Sequence, residues 1–553
     1  MSNKIVSADE AVAAIRTGCT VSVSGFVGVG TPDEVLLALE RRYNDTGLSG
    51  ELTLVFAAAP GDGKDRGLNR LAHPGLVRRA VGGHWSLVPK LGQCAMNGEI
   101  EAYNLPLGCI AQLYRDIAAH RPGLLSKVGL RTFVDPRLGG GKINDRTTED
   151  LVRLLEIDGE EVLLYKAFPI DVAIVRGTTA DTAGNITMER EALQLDVLSA
   201  AMAAHNSGGI VIAQVERIAQ EGSLDARRVQ VPGILVDYVV LAEPKNHCQT
   251  YATAHNGAFS GQIRVPLDRI PTLPFDERKI VARRVALELP VGGVVNLGIG
   301  MPECVATVAA EEKILRHVTL TAEPGVIGGL PQSGLNFGTA LNPAAVIQQN
   351  QQFDFYDGGG LDLACLGMAQ SDAKGNVNVS RFNGRLAGAG GFINISQSAH
   401  KLVFAGTFTA GGLLVHIEDG RLHIVREGRT HKFIEAVEQI TFSGDYAGEK
   451  GQQVLYVTER CVFARTHDGV ELVEVAPGID IERDILAQMG FRPIVDRPRM
   501  MDARLFRPEA MGLHLALHEL SVPERASHAG ERQQRPQRGV PAVLEPQYAA
   551  AGD

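Results

Sequence analysis

The sequence predicts an α/β protein built from two copies of one open, parallel-sheet domain. Three observations carry that reading. Blocks of similar sequence recur in the same order in the two halves, short apolar runs alternate with helical patterns between glycine-rich turns, and a strand followed by Pro-Gly occurs once per copy. In the first copy that last segment reads Ala58-Ala59-Pro60-Gly61, and in the second Ala322-Glu323-Pro324-Gly325. Pro-Gly stops either element. The acid is therefore set at a strand end, and because the first copy has alanine there, folding does not require it.

Taken in order, Lys4-Ile5-Val6 leads to Gly18-Cys19-Thr20-Val21-Ser22-Val23-Ser24-Gly25-Phe26, and Lys279-Ile280-Val281 leads to Gly292-Gly293-Val294-Val295-Asn296-Leu297-Gly298-Ile299-Gly300. Each reads as helix, strand, glycine-rich turn, helix. The runs Leu52–Phe56 and Val318–Leu320 are the next strands. Asp171, Asp181, Gly184 and Asn185 recur 191 residues later as Asp362, Asp372, Gly375 and Asn376, whereas Gly18 and Gly292 are 274 apart. The first copy therefore holds about 83 extra residues, placed within residues 62 to 160. Gly209–Ala213 and Lys401–Ala405 are further buried-type strands. We place the first domain at residues 1–262 and the second at 275–520, joined by the proline-punctuated connector 264–274. Residues 521–553 are a poor core former and are expected to be a mobile tail.

Bulk composition narrows the function. The 553 residues exceed what one core supports. Glycine, at 62 residues, is well above the usual ~7% and suits many tight turns. Seven scattered cysteines without a C-x-x-C pair argue against disulfides and zinc, so no metal site is expected. The net charge of −10 disfavours nucleic acid. No signal-peptide start and no spanning apolar stretch are seen, so we expect a cytoplasmic protein with no membrane partner. The chain has no G-x-x-x-x-G-K-[ST] loop, no G-x-S-x-G elbow and no G-x-G-x-x-G fingerprint.

What remains is one carboxylate among glycine-rich turns: Gly298-Ile299-Gly300, Gly325-Val326-Ile327-Gly328-Gly329, Gly358-Gly359-Gly360 and Gly388-Ala389-Gly390-Gly391. In a parallel sheet such turns gather at the carboxyl ends of the strands, where exposed N–H groups hold phosphate or an oxyanion. Each run alone is more simply a tight turn; their company with Glu323 makes them a site.

These residues resemble a family. Thr321–Gly329, FDFYDGGGLDLA at 353–364, GNVNVSRF at 375–382 and GAGGFINISQSAHKLVFAGTFTAGGL at 388–413 are similar to family I coenzyme A transferases, nearest the single-chain acetate or propionate (short-chain acyl) enzymes. In the first half, Ile100–Pro106, Lys127–Leu130 and Thr132–Arg137 share the resemblance. It implies two domains of the fold shared with sugar-phosphate isomerases, a site between them, and a homo-oligomer. It also implies that Glu323 is the covalent nucleophile and that an oxyanion donor comes from Gly390 or Gly391. Leu297, Gly298, Ile299, Gly300, Met301 and Gly388 are the candidate contacts to CoA. Acyl-CoA and small carboxylates are the expected ligands, with no cofactor beyond CoA as substrate. Many relatives carry glutamine after the Leu-Pro, where this chain has Leu107; leucine cannot donate a hydrogen bond, so Asn104 is an alternative donor, and Asn104 and Leu107 are candidates for the acyl pocket or the oxyanion site. The same site open to water would be a thioesterase, and a site in which Glu323 is only a polar contact would be an acyl-CoA sensor.

Overall fold

The structure is a computed structural model that describes residues 4–267 and 272–515. The proposed tail at 521–553 and part of the connector lie outside the described residues. The first half is organised by an eight-stranded sheet, in the spatial order 5–6, 238–241, 210–215, 172–176, 20–23, 52–58, 77–84, 101–104, with every neighbouring pair parallel. Its strand Leu52–Ala58 reads as a nearly continuous apolar run because both faces are covered: all seven of its residues are buried.

The second half repeats this core. Strands 319–322, 294–297, 363–367, 401–405 and 453–457 lie in one sheet in that order, parallel throughout, matching 52–58, 20–23, 172–176, 210–215 and 238–241 of the first. Even the register is kept, since Val21 faces Val172 and Val295 faces Leu363. The repeated aspartates are explained by the turns they hold. Asp171 accepts from the Thr20 N–H at 2.7 Å, and Asp362 from the Val294 N–H at 2.8 Å. Asn185 donates to Asp181, and Asn376 to Asp372, each at 3.0 Å. The first half's extra residues supply two more parallel strands and a separate three-stranded sheet at 123–126, 160–166 and 152–157.

The two halves meet through helices. Leu107–Ala118 and Val197–Asn206 pack with Gln349–Asp357 and Phe392–Ser398, and one apolar cluster runs through residues of both halves. A Cβ at Gly108 would sit 2.5 Å from both Asn394 and Phe353, so glycine is what lets these helices approach. Gln112 donates to Asp357 at 2.9 Å, and Asn394 does so at 3.0 Å. Among the described residues no helix is long and apolar enough to cross a membrane.

Candidate active site

Glu323 follows strand Thr319–Ala322 and lines a cleft of about 300 Å³ between the halves. Its carboxylate accepts no hydrogen bond and pairs with no cation among the described residues. Loss of hydration alone pushes it up to about 7. It is thus poised between acid and carboxylate at neutral pH. Its counterpart Ala59 is fully buried and does not line this cleft.

The loop 387–391 presses against this carboxylate. A Cβ on Gly391 would fall on the Glu323 carboxylate oxygen, so any side chain there displaces the carboxylate from this position. The first half holds the loop from below. The Trp85 N–H donates to Ala387 O at 2.8 Å, the Ala389 N–H to Asn104 Oδ1 at 2.9 Å, the Gly390 N–H to Gly83 O at 2.8 Å, and the Leu107 N–H to Gly390 O at 2.9 Å. Gly388, with φ +79, would meet the Trp85 side chain if it carried a Cβ.

This geometry revises the expected donor role of Asn104 and narrows those of Gly390, Gly391 and Leu107. Asn104 lies outside the cleft lining, and its amide is spent: Nδ2 donates to Gly82 O at 3.1 Å and Gly83 O at 2.6 Å, while Oδ1 takes the Ala389 N–H. It anchors the loop and has no hydrogen left for an oxyanion. Of the two backbone donors, Gly390 already serves Gly83, whereas the Gly391 N–H has no acceptor among the described residues. Leu107 lines the cleft, 1% exposed, as an apolar wall at the start of its helix.

The CoA contacts divide likewise. Leu297, Gly298, Ile299 and Gly388 line the cleft, and Ile299 is exposed at its edge. Gly300 and Met301 do not, because the chain turns at Gly300 (φ +88) into helix Glu303–Glu311 and leaves the cleft.

Apart from Leu107, sequence reasoning missed the wall contributed by the first half. Phe26 and Val27 follow strand Thr20–Val23, and Phe26 packs on Phe337 with ring centroids 5.8 Å apart. The repeat held no signal for them, since their counterparts 274 residues later, Gly300 and Met301, leave the cleft. His84 ends strand Val77–His84, its Nε2 2.8 Å from Ser86 Oγ. Burial and then the Arg385 charge push it down to about 4, so it is a neutral imidazole at physiological pH. Asn296, in the cleft floor, donates to Tyr356 OH at 3.2 Å but leaves its Oδ1 unpaired. No cluster of three or more His, Cys, Asp or Glu suited to a metal occurs among the described residues.

The arrangement offers an unpaired carboxylate, a free backbone N–H beside it and apolar walls. Comparison with known proteins gives this chemistry a family. The Coenzyme A transferase family profile matches residues 5–242. The chain is 48% identical to caffeate CoA-transferase of Acetobacterium woodii over 517 residues, covering 92% of this chain and 98% of that one. It is 43% identical to acetate CoA-transferase YdiF of Escherichia coli K12, covering 92% and 96%. The crystal structure of the E. coli O157:H7 acyl-CoA transferase YdiF in a thioester complex with CoA superposes with a TM-score of 0.88 at 42% identity, over 92% of this chain and 97% of that one. With likeness of this extent across both halves, the chain belongs to the family I coenzyme A transferases and is a CoA-transferase.

Proposed function

We propose that this enzyme moves CoA from a short-chain acyl-CoA to a free carboxylate, with Glu323 as the nucleophile. The observation that carries the reading is the unpaired, desolvated Glu323 carboxylate packed against Gly391, whose N–H has no other acceptor. A glutamyl–CoA thioester is also in keeping with the thioester complex solved for the E. coli O157:H7 relative.

The ionised Glu323 oxygen attacks the thioester carbonyl; the C–S bond breaks and CoA leaves as thiolate, giving an acyl-glutamyl anhydride. The thiolate then attacks the glutamyl carbonyl, the anhydride C–O bond breaks, and the first acid leaves as carboxylate. An incoming carboxylate reverses both steps on the glutamyl-CoA thioester and departs as the new acyl-CoA. Every tetrahedral intermediate places negative charge on oxygen, and the Gly391 N–H is the donor at hand; one such donor is worth on the order of 3 kcal/mol. Desolvation makes the carboxylate a better nucleophile and protects both intermediates from water. The scheme calls on no metal or redox group. A cleft of about 300 Å³ with mainly apolar walls suits a small, uncharged acyl tail.

Intact-protein mass after mixing with acetyl-CoA tests the reading. Wild type is expected to gain CoA less one water, Glu323→Ala to gain nothing, and initial rates to give parallel ping-pong lines. An adduct that forms equally on the alanine variant, or intersecting lines, would overturn it.

A further inference from the structure

Beside Glu323 the backbone is strained in a way the sequence does not require. Phe26 and Val29 exchange both backbone hydrogen bonds, each 2.9 Å, closing a two-residue turn with Val27 and Gly28 at its centre. Val27 has a φ of +58, and Gly28 is not in the positive region. Two-residue turns with a left-handed first residue take glycine, asparagine or aspartate there. Here the order is inverted. Glycine occupies the second position, where a Cβ would strike the Tyr251 ring, and a β-branched residue bears the strained φ. Among the described non-glycine residues with positive φ, Val27 is the only β-branched one.

The hydrogen bonds that hold this conformation all fall on the main chain of Val27. The Val27 N–H donates to Ala58 O at 3.2 Å, and Val27 O accepts from the Gly61 N–H at 2.8 Å and Thr31 Oγ1 at 3.2 Å. Glycine would make all three bonds without strain. The valine side chain is therefore what the strain supports: its methyls join the apolar cluster shared by the two halves and at the same time form part of the cleft wall. It is 3% exposed and lines the same cleft as Glu323. The turn also abuts the nucleophile's own segment: a Cβ at Gly338 would lie 2.7 Å from the Phe26 ring and 3.2 Å from Pro324.

We propose that Val27 is a positioning residue that keeps water from Glu323 and so decides that the activated group is passed to a carboxylate and not hydrolysed. The inference rests on Glu323 as nucleophile. Without the valine methyls, water attacks the glutamyl-CoA carbonyl. The C–S bond breaks, CoA leaves as the thiol with one proton of that water, the Glu323 carboxyl is restored, and the net reaction is acyl-CoA plus water to acid plus CoA.

The test compares full-length wild type with Val27→Gly, Val27→Ala and Val27→Asn. Three quantities are read: CoA release without acceptor relative to transfer with acetate, lifetime of the CoA adduct by intact mass, and thermal midpoint. In Val27→Gly and Val27→Asn relief of the strained φ offsets the loss of buried methyls, so the midpoint is expected to stay within a few degrees of wild type while the hydrolysis-to-transfer ratio rises at least tenfold and the adduct decays at least tenfold faster. Val27→Ala keeps the strained φ and is expected to leak without any gain in midpoint. A wild-type ratio and adduct lifetime in whichever of these variants fold would overturn the proposal. If wild type itself forms no adduct, the nucleophile reading falls and this one with it; an adduct of unchanged lifetime in the variants defeats this inference alone.

Discussion

Replacing Glu323 with glutamine keeps the shape of the side chain and removes its charge, and the structure sets the size of two effects. Burial raises the carboxyl from its ordinary value near 4.5 to about 7. The folded state thus favours the neutral acid. Stability carried by the proton is complete below about pH 4.5 and is lost as pH rises through about 7. A change of that size corresponds to about 3 kcal/mol, which we reduce to about 2 kcal/mol because the side chain keeps some contact with solvent. Glu323→Gln has no such loss. Near pH 5 the two proteins are expected to melt together, and by pH 8.5 the variant is expected to melt a few degrees higher. Other buried carboxyls with raised values, Asp357 and Glu303 among them, titrate in both proteins and cancel in the difference. Transfer should fall by on the order of 10³ or more. In wild type, kcat/KM for acyl-CoA is expected to climb with pH and level off above about 7 as the carboxylate forms. Thermal scans at half-unit pH steps, run beside transfer assays, decide the matter. Parallel melting curves at every pH would refute the desolvated carboxylate, and with it the reason Glu323 is reactive.

Two further substitutions probe its neighbours. Gly391→Ala puts a methyl where the Glu323 carboxylate lies, so transfer is expected to drop at least a hundredfold with little change in melting; near-normal rates would show that the carboxylate does not rest on this loop. Leu107→Gln places an amide in an apolar wall that is 1% exposed. We expect a stability cost of about 1 to 3 kcal/mol. A kcat raised roughly tenfold would instead show that the amide reaches the oxyanion.

Much of the core was legible because it is repeated. The constant spacing of Asp171, Asp181 and Asn185 to Asp362, Asp372 and Asn376 marked the duplicated strands, and the Ala59 and Glu323 difference singled out the carboxylate that the structure places in the cleft. Local pattern did not reach what one half does to the other. Asn104 looked like a free donor, and only the fold shows its hydrogens going to Gly82 and Gly83. Gly390 and Gly391 are indistinguishable as letters; a carbonyl more than 300 residues earlier, on Gly83, separates them. Val27 was unreadable for a different reason. Turn chemistry asks for glycine at its position, so the sequence misdirects where strain is retained.

The loop packed against Glu323 is fastened by Trp85, Asn104 and Gly83, residues of the other half. Neither repeat therefore owns a complete catalytic unit. The single chain works as a tethered pair, in which the link supplies each repeat to the other at a high effective concentration. Cutting the chain between residues 263 and 275 would turn a first-order property into a second-order one: activity would then depend on the product of two fragment concentrations, and dilution alone would switch the enzyme off.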